Sequence, residues 1–289
     1  MLLTDIHFTI DEETELRNFA IYRWSVPLEH STAIFRQVLL AEFTDPATAS
    51  FSDNNDSWDA RSRPFYYQVK SYDGCKREVL ASAAVNSTPL RVVTRGTNNT
   101  ITWNKLYYSV SKPINYKAYR IVYGDSPFPP ELVFESNNSL DTTFVDDISD
   151  LEGQGLTTKF CYYVDATELD DGNQVVVLSR TRLVCTEVIP EIVMPNAIDP
   201  LSSQISSSGN NARNNFAPTI SFNSDFKLTI YNRWGGIVFV GENEGWNGLT
   251  AEGELAKEGS YIYRLEVHSE SNRVIVKTGY LTVMYGPAN

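Results

Sequence analysis

Apolar side chains along this chain recur at every second position, in short runs separated by turn-forming clusters, which is the signature of half-buried β-strands rather than of helices. Ile6, Phe8 and Ile10 open the pattern, and Ala20 to Trp24, Ile34 to Phe43, Tyr66 to Ser71 and Arg77 to Val85 read as the strands that follow. Pro27, Asp45-Pro46 and Asp73-Gly74 punctuate them, and Ser52-Asp-Asn-Asn-Asp56 reads as a loop. From residue 88 the plan repeats: Leu90 to Thr94, Thr100 to Trp103, Tyr116 to Tyr123, Glu131 to Phe134, then a hairpin of Phe160 to Ala166 and Val175 to Cys185. Asp171-Gly172 sits at its turn, where Gly tolerates the positive φ that tight hairpins need.

The composition changes after Glu191. Ile192 to Ala197 reads as one apolar strand, and Leu201 to Asn211 is a polar, Ser- and Asn-rich loop. Phe226, Leu228 and Ile230 then alternate toward a core, as do Tyr261, Tyr263, Leu265 and Val267, with Val274 to Val276 and Tyr280 to Val283 closing a small all-β domain. The pattern divides the chain into 1–87, 88–189 and 190–289, in keeping with a length of 289 residues and domains of roughly 100 residues.

Composition narrows the function classes. Aromatics make up 12% of the chain, with 16 Tyr and 14 Phe against 3 Met, which favours strand surfaces over helical bundles. A formal net charge of -12 excludes a nucleic-acid phosphate partner, which needs clustered Lys and Arg. The longest apolar runs fall far short of the roughly 20 residues of a membrane-spanning helix. Met1 to His7 has neither a basic start nor a long apolar stretch, so no signal peptide is read there. That leaves a cytosolic chain or a piece of a longer exported one, and the cysteines favour the second. Cys161 and Cys185 flank the last hairpin, whose turn lies midway between them; a cross-strand disulfide and a pair of buried thiols are both open readings. Cys75 is left over.

The first two segments share landmarks. Trp24 and Trp103 each lie on an early strand, where a large ring fills the space between two sheets, and Tyr67-Gln-Val-Lys-Ser71 matches Tyr162-Tyr-Val-Asp-Ala166 as Tyr-x-Val-x-small. On these residues the segments resemble fibronectin type III modules, which implies tandem immunoglobulin-like sandwiches over about 190 residues.

The last segment carries a denser set: Pro195-Asn-Ala197, Leu228-Thr-Ile-Tyr-Asn-Arg-Trp-Gly235, Val238-Phe239, Gly245-Trp-Asn-Gly248 and Gly259-Ser-Tyr-Ile-Tyr263. In this order they resemble the gliding-motility-associated, type-B C-terminal sorting domain of type IX secretion cargo in Bacteroidota. The resemblance implies a small β-sandwich sorting domain, export through the periplasm and outer membrane, and recognition by the translocon and its shuttle proteins, with a PorP/SprF-like outer-membrane protein retaining the cargo at the surface. One departure stands out. The family's acidic turn after Pro-Asn-Ala is replaced here by a Ser-rich insertion and Asn210-Asn-Ala-Arg-Asn-Asn-Phe216, which offers few charged oxygens to a hard cation, so no metal is expected.

Read for themselves, Trp234, Gly235, Trp246, Gly248, Gly259 and Tyr261 are structural signature residues, the Trp rings filling a small core beside glycines that permit tight turns. Arg233 fits either an internal brace to a carboxylate or carbonyl, or a cation presented to a secretion partner, together with Asn232 and Lys227. Edge strands offer a further route, by strand addition. His7, His30 and His268 are isolated, and no Gly-x-Ser-x-Gly elbow, phosphate loop or dinucleotide fingerprint occurs, so neither catalysis nor a cofactor is expected. Asp146-Asp147-Ile-Ser-Asp150 and Asp170-Asp171 read as solvated loop charges, with a weak calcium site as the alternative, and Asp141-Thr-Thr143 resembles a short bacterial O-glycosylation site with Thr142 as acceptor. The resulting expectation is the C-terminal part of an adhesin-like secreted or surface protein. A tail of a secreted hydrolase with its catalytic domain upstream, and a carbohydrate-binding surface protein, are the alternatives.

Overall fold

The computed structural model describes residues 4–8, 10, 18–25, 36–45, 50–53, 64–106, 114–123, 127–169, 175–202, 214–269 and 273–285. Its regular structure is β throughout, apart from one 3-10 turn at Ser149–Leu151. Contacts divide the chain into two compact units, one of 1–121, 130–146 and 161–185, the other of 122–129, 147–160 and 186–289.

The first sandwich is built from β1 (Thr4–His7), β2 (Asn18–Ser25), β3 (Val38–Phe43), β4 (Ser50–Asp53), β5 (Phe65–Tyr72), β6 (Glu78–Ala81) and β7 (Val85–Asn86). A sheet of order β3-β2-β5-β6, with β7 also on β5, is joined by the ribbon β1-β4. The second uses β8 (Leu90–Arg95), β9 (Asn98–Trp103), β10 (Ile114–Val122), β11 (Glu131–Ser136), β12 (Thr143–Asp147), β13 (Lys159–Leu169), β14 (Val175–Arg180) and β15 (Val184–Glu187). Here the order is β11-β10-β13-β14, with β15 on β13, and β12-β9-β8 forms the second sheet.

The two sandwiches share a buried polar device that the sequence pattern concealed. In the first, Arg23 on β2 donates to Asp53 on β4, and the Tyr67 hydroxyl on β5 donates to the same carboxylate at 3.1 Å. In the second, Arg120 on β10 donates to both oxygens of Asp146 on β12, at 3.0 and 3.1 Å, and the Tyr162 hydroxyl donates to Oδ2 at 2.7 Å. Asn99 Nδ2 donates to that hydroxyl at 2.8 Å. All four charged residues are buried. A buried charge persists only where paired and hydrogen-bonded, and each sandwich meets this by bringing Arg and Tyr from neighbouring strands of one sheet and Asp from a strand of the other sheet to one interior.

This geometry supports the Tyr67–Tyr162 match and corrects two readings. Asp146 is not a solvated loop charge: its strand turns it inward to meet Arg120. Likewise Ser52-Asp53 belongs to β4 rather than to a loop. The two tryptophans are not equivalent either. Trp103 is in the core against Tyr116, Phe134 and Phe144, whereas Trp24 is half-buried and stacks on Tyr66 at 5.7 Å. Because strand faces alternate, Arg23 taking the inward position sends its neighbour Trp24 outward. The expected strand Val175 to Cys185 is interrupted after Arg180, where Thr181 turns its hydroxyl to accept from the Val164 amide at 2.9 Å. Cys161 on β13 and Cys185 on β15 are disulfide-bonded, and Cys75 is free and exposed. The Asp171-Gly172 turn and Asp170 lie outside the described residues.

The C-terminal domain is built from β16 (Ile192–Val193), β17 (Ala197–Ile198), β18 (Thr219–Ile220), β19 (Asp225–Tyr231), β20 (Ile237–Glu242), β21 (Gly259–His268) and β22 (Val274–Val283). What reads in sequence as one strand, Ile192 to Ala197, is split at Pro195 between two sheets: β16 pairs β18, and β17 runs parallel to β22 at the edge of the sheet β17-β22-β21-β19-β20. One face of that sheet packs on Phe216, Trp246 and Ala256 from the connecting segments, so ribbon and loops form a thin second layer. The same unit includes one end of the preceding sandwich: Phe160 packs edge-on against Phe222 at 5.7 Å, and Gly153 and Asn223 donate backbone bonds to Ser221 and Leu156.

Candidate docking surface of the C-terminal domain

The motif centred on Trp234 forms the turn between β19 and β20. The Gly235 amide donates to the Asn232 carbonyl at 3.0 Å and the Asn232 amide donates to Gly236 at 2.8 Å. Asn232 Oδ1 also accepts from the amides of Trp234 (3.0 Å) and Gly236 (2.9 Å), so the side chain ties the loop from inside. Gly235 adopts φ 83°, the left-handed conformation that a side chain disfavours. Every described backbone bond of this turn is local, and the result is a small, rigid tip.

That tip carries Trp234 into solvent. The residue is 81% exposed, while Trp246 is fully buried. The reading of both rings as core is therefore corrected for Trp234: it sits mid-turn, beyond the end of the sheet, where no second layer reaches it. Arg233 is exposed too, its guanidinium stacked on the indole at 4.8 Å. Lys227 stands on the outer face of β19, in register with Glu242 and Glu266.

The remaining signature residues shape the interior. Trp246 is held by an antiparallel bridge to Phe216, donates from Nε1 to the Leu249 carbonyl at 2.7 Å, and packs on Tyr261 at 5.4 Å. Gly248 has φ 83°, and a Cβ there would lie 2.4 Å from Pro200 Cγ, so only glycine closes this turn. Gly259 opens β21, and Tyr261 donates its hydroxyl to the Lys257 carbonyl at 2.9 Å. Burial raises the Tyr261 pKa. In unit 1, Thr142 is half-buried just before β12, its carbonyl accepting from the Trp103 amide. Most of the Ser-rich insertion, residues 203–213, lies outside the described residues.

A set of residues that alternation alone did not single out lies on the open face of the sheet. Leu228, Ile230, Tyr263, Leu265 and Val267 point to the core, so their neighbours point away. Across four strands, Ile237, Tyr231, Ile262 and Tyr280 fall in one row. Ile237 and Tyr280 are 62% and 76% exposed. The available signal was that β21 and β22 are apolar at both parities, as in Tyr261-Ile-Tyr263 and Val274-Ile-Val276, more than a one-sided core requires.

Residues 200–283 match the CHU_C type IX secretion signal domain. The match lies wholly within the C-terminal domain and includes the Trp234 turn and the open face. A type IX secretion signal directs export out of the cell, to the surface or the medium, and interacts with the secretion machinery. No curated protein matches the chain. Two of the solved structures that match the chain overlap it loosely. A tetra-tandem repeat in the extending region of a large adhesion protein shares 12% identity at a TM-score of 0.35, over 98% of this chain and 74% of that one. Dimeric latent PorU from Porphyromonas gingivalis shares 11% identity at a TM-score of 0.25, over 93% of this chain and 30% of that one. Neither superposition is close enough to bear on function. Among the described residues no cluster of His, Cys, Asp or Glu is arranged to hold a metal ion, and no helix is long and apolar enough to cross a membrane.

Proposed function

We propose that this chain is the C-terminal part of an adhesin-like surface protein, in which two fibronectin-like sandwiches space a binding region from the cell and the last domain acts as a non-catalytic export and attachment signal. The observation that carries the reading is the secretion signal match over residues 200–283. The signal is read by the outer-membrane translocon and its shuttle proteins, and a PorP/SprF-like outer-membrane protein retains the cargo. The chain does no covalent chemistry of its own. Fibronectin-like sandwiches suit the spacer role because their interiors are closed, here by the Arg23–Asp53 and Arg120–Asp146 pairs, and their loops vary without cost to the core.

Deletion of residues 190–289 from the full-length protein in its native host tests this. Cargo accumulating in the periplasm, measured by fractionation and immunoblot, is the expected outcome; wild-type amounts outside the cell would end the proposal.

A further inference from the structure

A sorting signal has to be recognised through groups that solvent reaches, so the exposed apolar side chains of residues 200–283 narrow the search. Among the described residues of that span, Ile237, Val240, Ile262, Val274, Val276 and Tyr280 are exposed large apolar side chains on the outer face of one sheet. Trp234 stands on the adjoining turn, and Leu201 and Leu255 lie elsewhere. The opposite face is closed over Trp246 and Phe216. Apolar exposure concentrated on one face, next to a tryptophan 81% exposed, marks a contact surface rather than scattered residues.

The Trp234 turn adds specificity. Binding costs less when the contacting group is already held in place, and Asn232 fixes this loop through two backbone amides. Indole and guanidinium are also the groups that most often dominate interface energies. Arg233 lies along the indole, so one cleft meets both. Backbone pairing at a sheet edge reads few side chains; a rigidly presented Trp–Arg pair is a side-chain signal.

From this we infer that the Trp234–Arg233 tip and the row Ile237, Tyr231, Ile262, Tyr280 form the surface read by an outer-membrane protein of the secretion machinery. That protein offers an apolar cleft for the indole, with carboxylate or carbonyl oxygens at its rim for Arg233. Trp234 is the anchor, Asn232 positions it, and Trp246 holds the domain beneath. This rests on the sorting role proposed above.

The test uses the full-length protein in its native host, comparing Trp234→Ala, Tyr280→Ser and Leu255→Ser with wild type and with the 190–289 deletion. Surface-exposed protein is measured by protease accessibility on whole cells, and melting of each purified variant is recorded. Trp234→Ala and Tyr280→Ser should each cut the surface-exposed fraction about tenfold or more with melting unchanged, while Leu255→Ser, exposed but off this face, behaves as wild type. Wild-type display of Trp234→Ala and Tyr280→Ser, with the deletion still trapped inside, would overturn the assigned surface and leave the sorting role standing. A deletion that is itself displayed normally would overturn both.

Discussion

Asp146→Ala is expected to destabilise the second sandwich by about 3 kcal/mol, the lower end of the loss seen when one partner of a buried ion pair is removed. The carboxylate takes two hydrogen bonds from Arg120 and one from Tyr162, all inside the sandwich. Its removal leaves a buried guanidinium whose other described carboxylate partner is Glu131, at 2.8 Å on a largely exposed side chain. That surviving pair moderates the loss. Tyr162 also loses an acceptor; burial first, and then the neighbouring Asp146 carboxylate, raise its pKa well above the ordinary tyrosine value, so at neutral pH it is a neutral donor with a proton to place. Asp146→Asn keeps the shape and one acceptor oxygen but replaces the other with an NH2 donor and removes the charge, and a loss smaller than that of alanine is expected. Urea unfolding, with hydrogen exchange followed on the β10 and β13 amides, measures both. Equal stability of Asp146→Ala and wild type would mean that the pair contributes nothing net.

Trp246→Ala is expected to cost about 3–5 kcal/mol in the C-terminal domain, the range for truncating a buried Trp or Phe. The ring is fully buried against Tyr261, and its Nε1 bond to Leu249 fixes the segment that covers the sheet. Display at the surface should fall with the fold, and melting of the purified protein should show an earlier transition. Trp234→Ala, twelve residues away in the same motif set, should change stability by less than about 0.5 kcal/mol, as for exposed side chains in general. The two variants together separate loss of signal by unfolding from loss of signal by loss of contact.

This contrast shows where sequence reading stops. Alternation located most strands, because a sheet with one covered face imposes period two on the residues beneath it, as in Leu228, Ile230, Tyr261 and Tyr263. It missed β4 and β12 because their inward positions include an acidic residue, and a lone Asp in a short polar run looks like a turn until its arginine partner is brought across from another strand. Composition could not separate Trp234 from Trp246 either, since both follow or precede glycine and differ only in whether a second layer passes over them. Nor could it divide the labour inside Asn232-Arg-Trp-Gly235: the amide ties the loop and the indole is displayed, although the residue types alone suggested the reverse. The secretion signal itself was legible because its glycines and aromatics are fixed by local geometry, as Gly248 is against Pro200.

The most direct test of the central claim is transplantation. A periplasmic reporter fused to residues 88–289, a span that keeps Phe160 against Phe222, is expressed in a host with a working type IX system beside the same reporter fused to 88–189. The account predicts that the first reaches the cell surface or the medium and the second stays in the periplasm; a folded 88–289 fusion that remains in the periplasm would contradict it.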